Sequence, residues 1–133
     1  MKVLIASEVP IEKVEAFINT TDQVDKESLI QDGYLVEING EIKACFVLSS
    51  VKGGVYWLKQ LYIAKEAAMN LPILFETIIV LVKEKRAKKL YVHSHQPIVD
   101  ILLDALQFHP QNEAIDIQSY QQNEGNWWAY EVS

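Results

Sequence analysis

With one cysteine, five glycines and four prolines in 133 residues, the sequence is poor in the residues that punctuate or staple a chain. The lone Cys45 cannot close an internal disulfide, and metal sites built on paired cysteines are excluded. No Gly-, Ser- or Pro-rich tract divides the chain, so one domain over residues 1–133 is expected, long enough to bury a sizeable core. The longest unbroken apolar run, 78–82, falls far short of the roughly 20 residues that cross a bilayer, and no membrane partner is expected. Glu8 arrives too early for a secretory hydrophobic segment, which points to a cytoplasmic protein.

Positive charge is missing from the last third. Residues 90–133 carry six acids and no Lys or Arg, and they account for the whole net charge of −6. Duplex binding draws most of its affinity from neutralising phosphates, so a chain without a basic stripe is not expected to bind nucleic acid. The one basic run, 83–89, lies at an expected helix end, where Lys and Arg complement the helix dipole.

What is present reads as alternating strands and helices. Residues 1–6 suit a strand. Ile11, Val14, Phe17 and Ile18 follow Pro10 at helical spacing and predict a helix over 10–19, with a shorter one near 26–30. Asn39-Gly40 separates the β-rich runs 34–38 and 41–48; both positions of a two-residue turn need positive φ, which makes this the strongest hairpin signal in the chain. A second reversal over 49–54 contains Gly53-Gly54, and a third strand follows at 55–63. Asn70 as cap and Pro72 in the first turn open a helix to about residue 86, apolar on more than one face and therefore expected to be buried. A short strand over 90–93 precedes a helix over 98–106, with Ile98, Ile101, Leu102 and Ala105 on one stripe. Residues around Ile115-Asp116-Ile117 and then 127–132 complete the order β-α-(α)-β-β-β-α-β-α-β-β, a mixed α/β sheet with an antiparallel front half.

That order resembles the GCN5-related N-acetyltransferase (GNAT) fold over nearly the whole chain. The resemblance implies an acetyl-CoA-dependent N-acetyltransferase whose acceptor is a small-molecule or peptide amine. It also implies that the strand end Leu61-Tyr62-Ile63 and the turn Ala68, Met69, Asn70, Leu71 and Ile73 hold the cosubstrate through backbone N–H groups and a helix N-terminus. Oriented amides and a helix dipole make a general anion site. Gln96 matches a family Asn that contacts the pantetheine. Several positions depart from the family. Ala68 stands for Arg or Gln; Met69, Leu71 and Ile73 stand for small residues, usually Gly; Pro72 has no N–H. In the family's Tyr-x-x-x-Gly-Phe pattern, Phe108 is kept while Leu103 and Gln107 replace Tyr and Gly. Lys59-Gln60 occupies the zone of a common Glu base.

The remaining proton carriers are His93 and His95, at the end of the short strand where the resembled fold admits the acyl chain. Imidazole ordinarily titrates near pH 6.5 and can take a proton from an ammonium or from water; a histidine at a strand end also serves as an ordinary hydrogen-bonded residue. The two share one side of a strand, a spacing that could also suit a metal, but no third ligand is evident beyond His109, a weak candidate. Tyr56, Trp57, Tyr62, Trp127, Trp128 and Tyr130 line either the core or an apolar groove, and aromatics on the last strand would allow edge pairing into a homodimer. Cys45 reads as a small buried hydrophobe. Two functions follow: an acetyltransferase using His93 or His95, or a GNAT-fold binding or interaction module that has lost catalysis.

Overall fold

The computed structural model describes residues 1–111 and 125–132. Its elements are β1 (Lys2–Ile5), a 3-10 turn (Ala6–Glu8), α1 (Ile11–Ile18), α2 (Lys26–Asp32), β2 (Gly33–Ile38), β3 (Glu41–Lys52), β4 (Val55–Ile63), a 3-10 helix (Lys65–Asn70), α3 (Leu71–Glu84), β5 (Lys89–Ser94), α4 (Pro97–Ala105), β6 (His109–Gln111) and β7 (Asn126–Glu131). Strand order is β1-β2-β3-β4-β5-β7-β6. β4 and β5 pair in parallel, while β1–β2, β2–β3, β5–β7 and β6–β7 are antiparallel, giving the mixed sheet expected. No helix among the described residues is long and apolar enough to cross a membrane. The chain forms two compact units, residues 1–49 with 59–71 and residues 50–58 with 72–133; β3 and β4 run through both.

The first unit is built on the Asn39-Gly40 hairpin. Asn39 at φ 55° and Gly40 at φ 83° both take the left-handed conformation that the two-residue turn demands. Above it, Val14 and Phe17 of α1 and Leu29 of α2 pack on Leu35, Cys45 and Val47, with Tyr62 at the margin. The Asp25 carboxylate caps α2, accepting from the Ser28 hydroxyl at 2.6 Å and backbone N–H at 3.1 Å, and these bonds hold its carboxyl below the usual range. The same helix start engages β4: the Asp25 N–H donates to Gln60 Oε1 at 3.1 Å and Lys59 Nζ to Ser28 Oγ at 3.2 Å. Lys59 and Gln60 thus secure α2.

In the second unit, Val55 to Leu58 of β4 pair with Lys89 to Val92 of β5. α3 buries Leu74, Phe75, Ile78, Ile79 and Val82 but leaves Ile73 and Val80 each 53% exposed, so the helix is covered on one broad face and not all round. α4 departs further from expectation. The stripe of Ile98 and Ile101 faces outward at 72% and 70% exposure, and Leu103 is the residue buried. The cause is polar. Asp100 accepts from the Trp128 indole N–H at 2.8 Å and from Asn126 Nδ2 at 3.1 Å, both on β7, and this rotates positions 100 and 103 inward. β7 lies between β5 and β6, so it is not the free edge that dimer pairing would need; among the described residues β6 is the outer strand, and it carries Pro110, which cannot donate to a ladder. Among the described residues a short strand at His109–Gln111 precedes β7, and the strand expected around Ile115–Ile117 lies outside the described residues.

Both long helices of this unit close in the same way. After α3, Ala87 N–H reaches the Val82 carbonyl and Arg86 N–H the Lys83 carbonyl; after α4, Phe108 N–H reaches Leu103 and Gln107 N–H reaches Asp104. This six-to-one and five-to-two pattern places Arg86 at φ 58° and Gln107 at φ 73°, positions that favour glycine. A left-handed non-glycine residue costs about 1–2 kcal/mol, partly offset because glycine is freer in the unfolded chain. Gln107→Gly is therefore expected to stabilise the protein by about 0.5–1 kcal/mol, measured as a raised denaturation midpoint with an unchanged slope.

Candidate functional site

Past Leu58, the last residue of its parallel ladder with β5, β4 continues for five residues to Ile63. Leu61, Tyr62 and Ile63 are half-buried there, Tyr62 edge-on to Phe17 with ring centres 5.9 Å apart. The strand ends where Ala64 N–H donates to the Lys43 carbonyl at 2.7 Å, and the backbone then winds into the 3-10 helix. No periodic signal in the sequence marks this helix. It gives Asn70, expected as the cap of α3, a place at the end of the 3-10 helix, where its side-chain amide donates back to the Ala67 carbonyl at 3.3 Å.

The turn amides are partly spent. Ala67 N–H donates to the Ala64 carbonyl at 2.9 Å and Leu71 N–H to the Ala68 carbonyl; Pro72 has none. Met69 does not fill the turn, being 84% exposed, and Ala68 is exposed beside it. Beside the turn is a cavity of about 310 Å³ lined in part by Asn39, Glu41, Lys43, Glu66, Met69 and Asn70. Lys43 Nζ lies 3.0 Å from Glu41 Oε2 and 3.0 Å from Glu66 Oε1. Hydrogen bonds to Glu41 and then Glu66 raise the Lys43 pKa, and the Glu66 carboxyl is held low by its own backbone N–H and by Lys43. A larger groove of about 660 Å³ in this unit shares Glu41 and Lys43 and adds Lys2, Glu8, Lys13 and Glu37. This charged cluster was missed in the sequence. Strand alternation puts Glu41 and Lys43 on one face, but nothing local announces Glu66.

Cys45 is a small buried hydrophobe, as expected. Burial pushes its thiol up to about 12, a backbone bond from Tyr62 opposing. Stability contributed by the neutral thiol is complete below the unfolded thiol's range and is lost as pH rises through it toward 12. The native protein is expected to react with an aromatic disulfide reagent at least about 10²-fold more slowly than the unfolded chain; fast native labelling would contradict this burial.

In the second unit, His93 on β5 pairs opposite Trp127 of β7. His95 lies one residue beyond the strand and is exposed, yet the two imidazoles meet with centres 4.4 Å apart, and His93 packs on the Trp127 ring at 4.9 Å. Tyr91 and Trp57 flank Trp127 at 6.3 and 6.2 Å. Gly125, at φ 88°, is required beside them, because a Cβ there would collide with the Ser94 backbone oxygen and stand 2.8 Å from His93 Cε1. Ser94 is buried and bonds Gln96 twice, donating to its carbonyl at 3.1 Å and accepting its N–H at 3.3 Å. This fixes the backbone of Gln96 at the start of α4 and leaves its side chain exposed without a capping bond. Ile73 is exposed on the first turn of α3, and Leu103 is fully buried in α4. Trp57 and Trp128 belong to the core, whereas Trp127 is half-buried against the histidines. Among the described residues, no three His, Cys, Asp or Glu side chains group as a metal site.

No family model matches the chain, and no curated protein matches it in sequence. Solved structures do match in fold. The ribosomal-protein-S18-alanine N-acetyltransferase from Escherichia coli is 12% identical with a TM-score of 0.71, covering 99% of this chain and 94% of that one. A Bacillus subtilis acetyltransferase in complex with CoA is 13% identical with a TM-score of 0.71 over 99% of both chains. A GNAT family acetyltransferase from Elizabethkingia anophelis with acetyl-CoA bound is 19% identical with a TM-score of 0.63, covering 86% and 85%.

Proposed function

We propose that this chain, which has the fold of the GCN5-related N-acetyltransferases, moves an acetyl group from acetyl-CoA to the amine of a small molecule or peptide. The observation that carries the reading is the length of β4. Its ladder with β5 accounts for four residues, and the strand continues through Leu61, Tyr62 and Ile63 with main-chain groups spaced to bond an extended, amide-bearing arm as an added strand would. Acetyl-CoA, when bound, supplies an activated thioester carbonyl for attack by the acceptor nitrogen, with the C–N bond forming as the C–S bond breaks.

The chain's own residues then bind and move protons. Within the first unit, Leu61 to Ile63 hold the arm through N–H and C=O. His93 or His95 accepts the proton that the acceptor nitrogen loses and returns one to the departing sulfur, so the imidazole is regenerated. The absence of Lys and Arg from residues 90–133 supports a cationic acceptor and a role without nucleic acid, and the unpaired Cys45 supports a cytoplasmic setting.

Calorimetry with acetyl-CoA and CoA tests the reading, followed by thiol release in the presence of an amine panel. Saturable submillimolar binding and amine-dependent thiol release are expected. No heat and no thermal shift at millimolar CoA would leave the second reading, a binding module without catalysis, which the spent amides of Ala67 and Leu71 favour.

A further inference from the structure

The two ends of the donor site in the first unit are built unequally. The arm end is intact, because β4 presents Leu61 to Ile63 beyond the last residue of its parallel ladder. The phosphate end offers fewer groups to an anion. Of the backbone groups that would face a diphosphate, the Leu71 N–H is bonded to Ala68 and residue 72 is a proline, while the neighbouring Ala67 N–H is bonded to Ala64. An amide already donating within its own turn has no hydrogen left for a phosphate oxygen.

Charge and shape point the same way. Glu66 sits within this turn, and its only ion-pair partner among the described residues, Lys43, is shared with Glu41. The trio is net negative, so a diphosphate approaching it meets a carboxylate surplus. Ala68 has no polar head, and Met69 presents a bare apolar side chain to solvent. Lys65 is the one cation of the turn itself, and a single exposed lysine is a weakly held counter-ion.

We infer that this protein recognises its acyl donor by the pantetheine arm, with little share from the nucleotide diphosphate, so that an acyl-pantetheine thioester serves as well as acyl-CoA. The inference rests on the acetyltransferase reading above, and the following experiment separates failure of the two.

Binding of CoA and of pantetheine to the full chain is measured by calorimetry at low and high salt. The two ligands are expected to bind within about threefold of each other, a difference well under one factor of ten. CoA affinity should fall less than about threefold between roughly 0.05 and 0.5 M NaCl, because a diphosphate held by charge would lose far more as screening shortens the Debye length. CoA binding more than about 30-fold tighter than pantetheine, or falling steeply with salt, overturns the inference and leaves the acetyltransferase reading standing. If neither ligand binds, that reading fails and the inference falls with it.

Discussion

Alanine at both His93 and His95 is expected to lower kcat for acetyl transfer by about 10²-fold or more, the usual worth of a positioned general acid–base. Both rings must be removed together. Their centres lie 4.4 Å apart, so either imidazole can serve a proton that the other is placed to accept, and a single substitution understates the pair. His93 is held by Trp127 at 4.9 Å and by the close approach of Gly125, whereas His95 is exposed past the strand end. Of the two single variants, His93→Ala should therefore also disturb packing, and His95→Ala should not. The readout that distinguishes proton transfer from a structural effect is the pH–rate profile. The double variant should change the shape of the wild-type profile while its donor affinity stays within about twofold. A double variant with wild-type kcat and an unchanged profile would remove both histidines from the mechanism.

Phe108→Ala is expected to cost about 3–5 kcal/mol, the range for deleting a buried phenyl ring and leaving part of its cavity. The ring is 1% exposed. It meets Phe75 of α3 edge-on at 6.4 Å and Tyr130 of β7 at 5.2 Å, so it joins a helix to the sheet from a position just past α4. Its backbone N–H also closes α4 on Leu103. For a chain of this size the loss corresponds to a fall in Tm on the order of 10–20 °C. Phe108→Leu refills most of the volume and is expected to cost about 1 kcal/mol. Equal losses for Ala and Leu would show that the aromatic contacts, and not the cavity, dominate. A loss under about 1 kcal/mol for Ala would mean that this part of the core collapses onto the gap.

The degree to which the sequence was legible varied with how local each cause is. Asn39-Gly40 announced its hairpin because the turn's φ requirement is met by two adjacent residues. Val55–Ile63 was readable as a strand with its observed ends, since β-formers run up to it and Gly53-Gly54 reverses the chain before it. Gln107 illustrates a partial reading. The resembled pattern expects glycine there, and the observed φ of 73° explains why, although the sequence supplies glutamine. α4 shows where local reading stops. Ile98, Ile101, Leu102 and Ala105 form an apolar stripe at proper spacing, and so does the face around Leu103, so spacing could not choose between them.

Secondary-structure order, the hairpin and the charge asymmetry were determined by the sequence itself, because periodicity and turn chemistry act between residues at most a few positions apart. Which face of α4 turns inward was decided only in three dimensions, by Asp100 meeting Trp128 across 28 positions. Whether the turn after β4 offers free amides was decided there too, by a 3-10 winding of its backbone, and its charge by Lys43 reaching Glu66 across 23 positions. A polar group takes the partner that folding brings to it, and no window along the chain contains that partner.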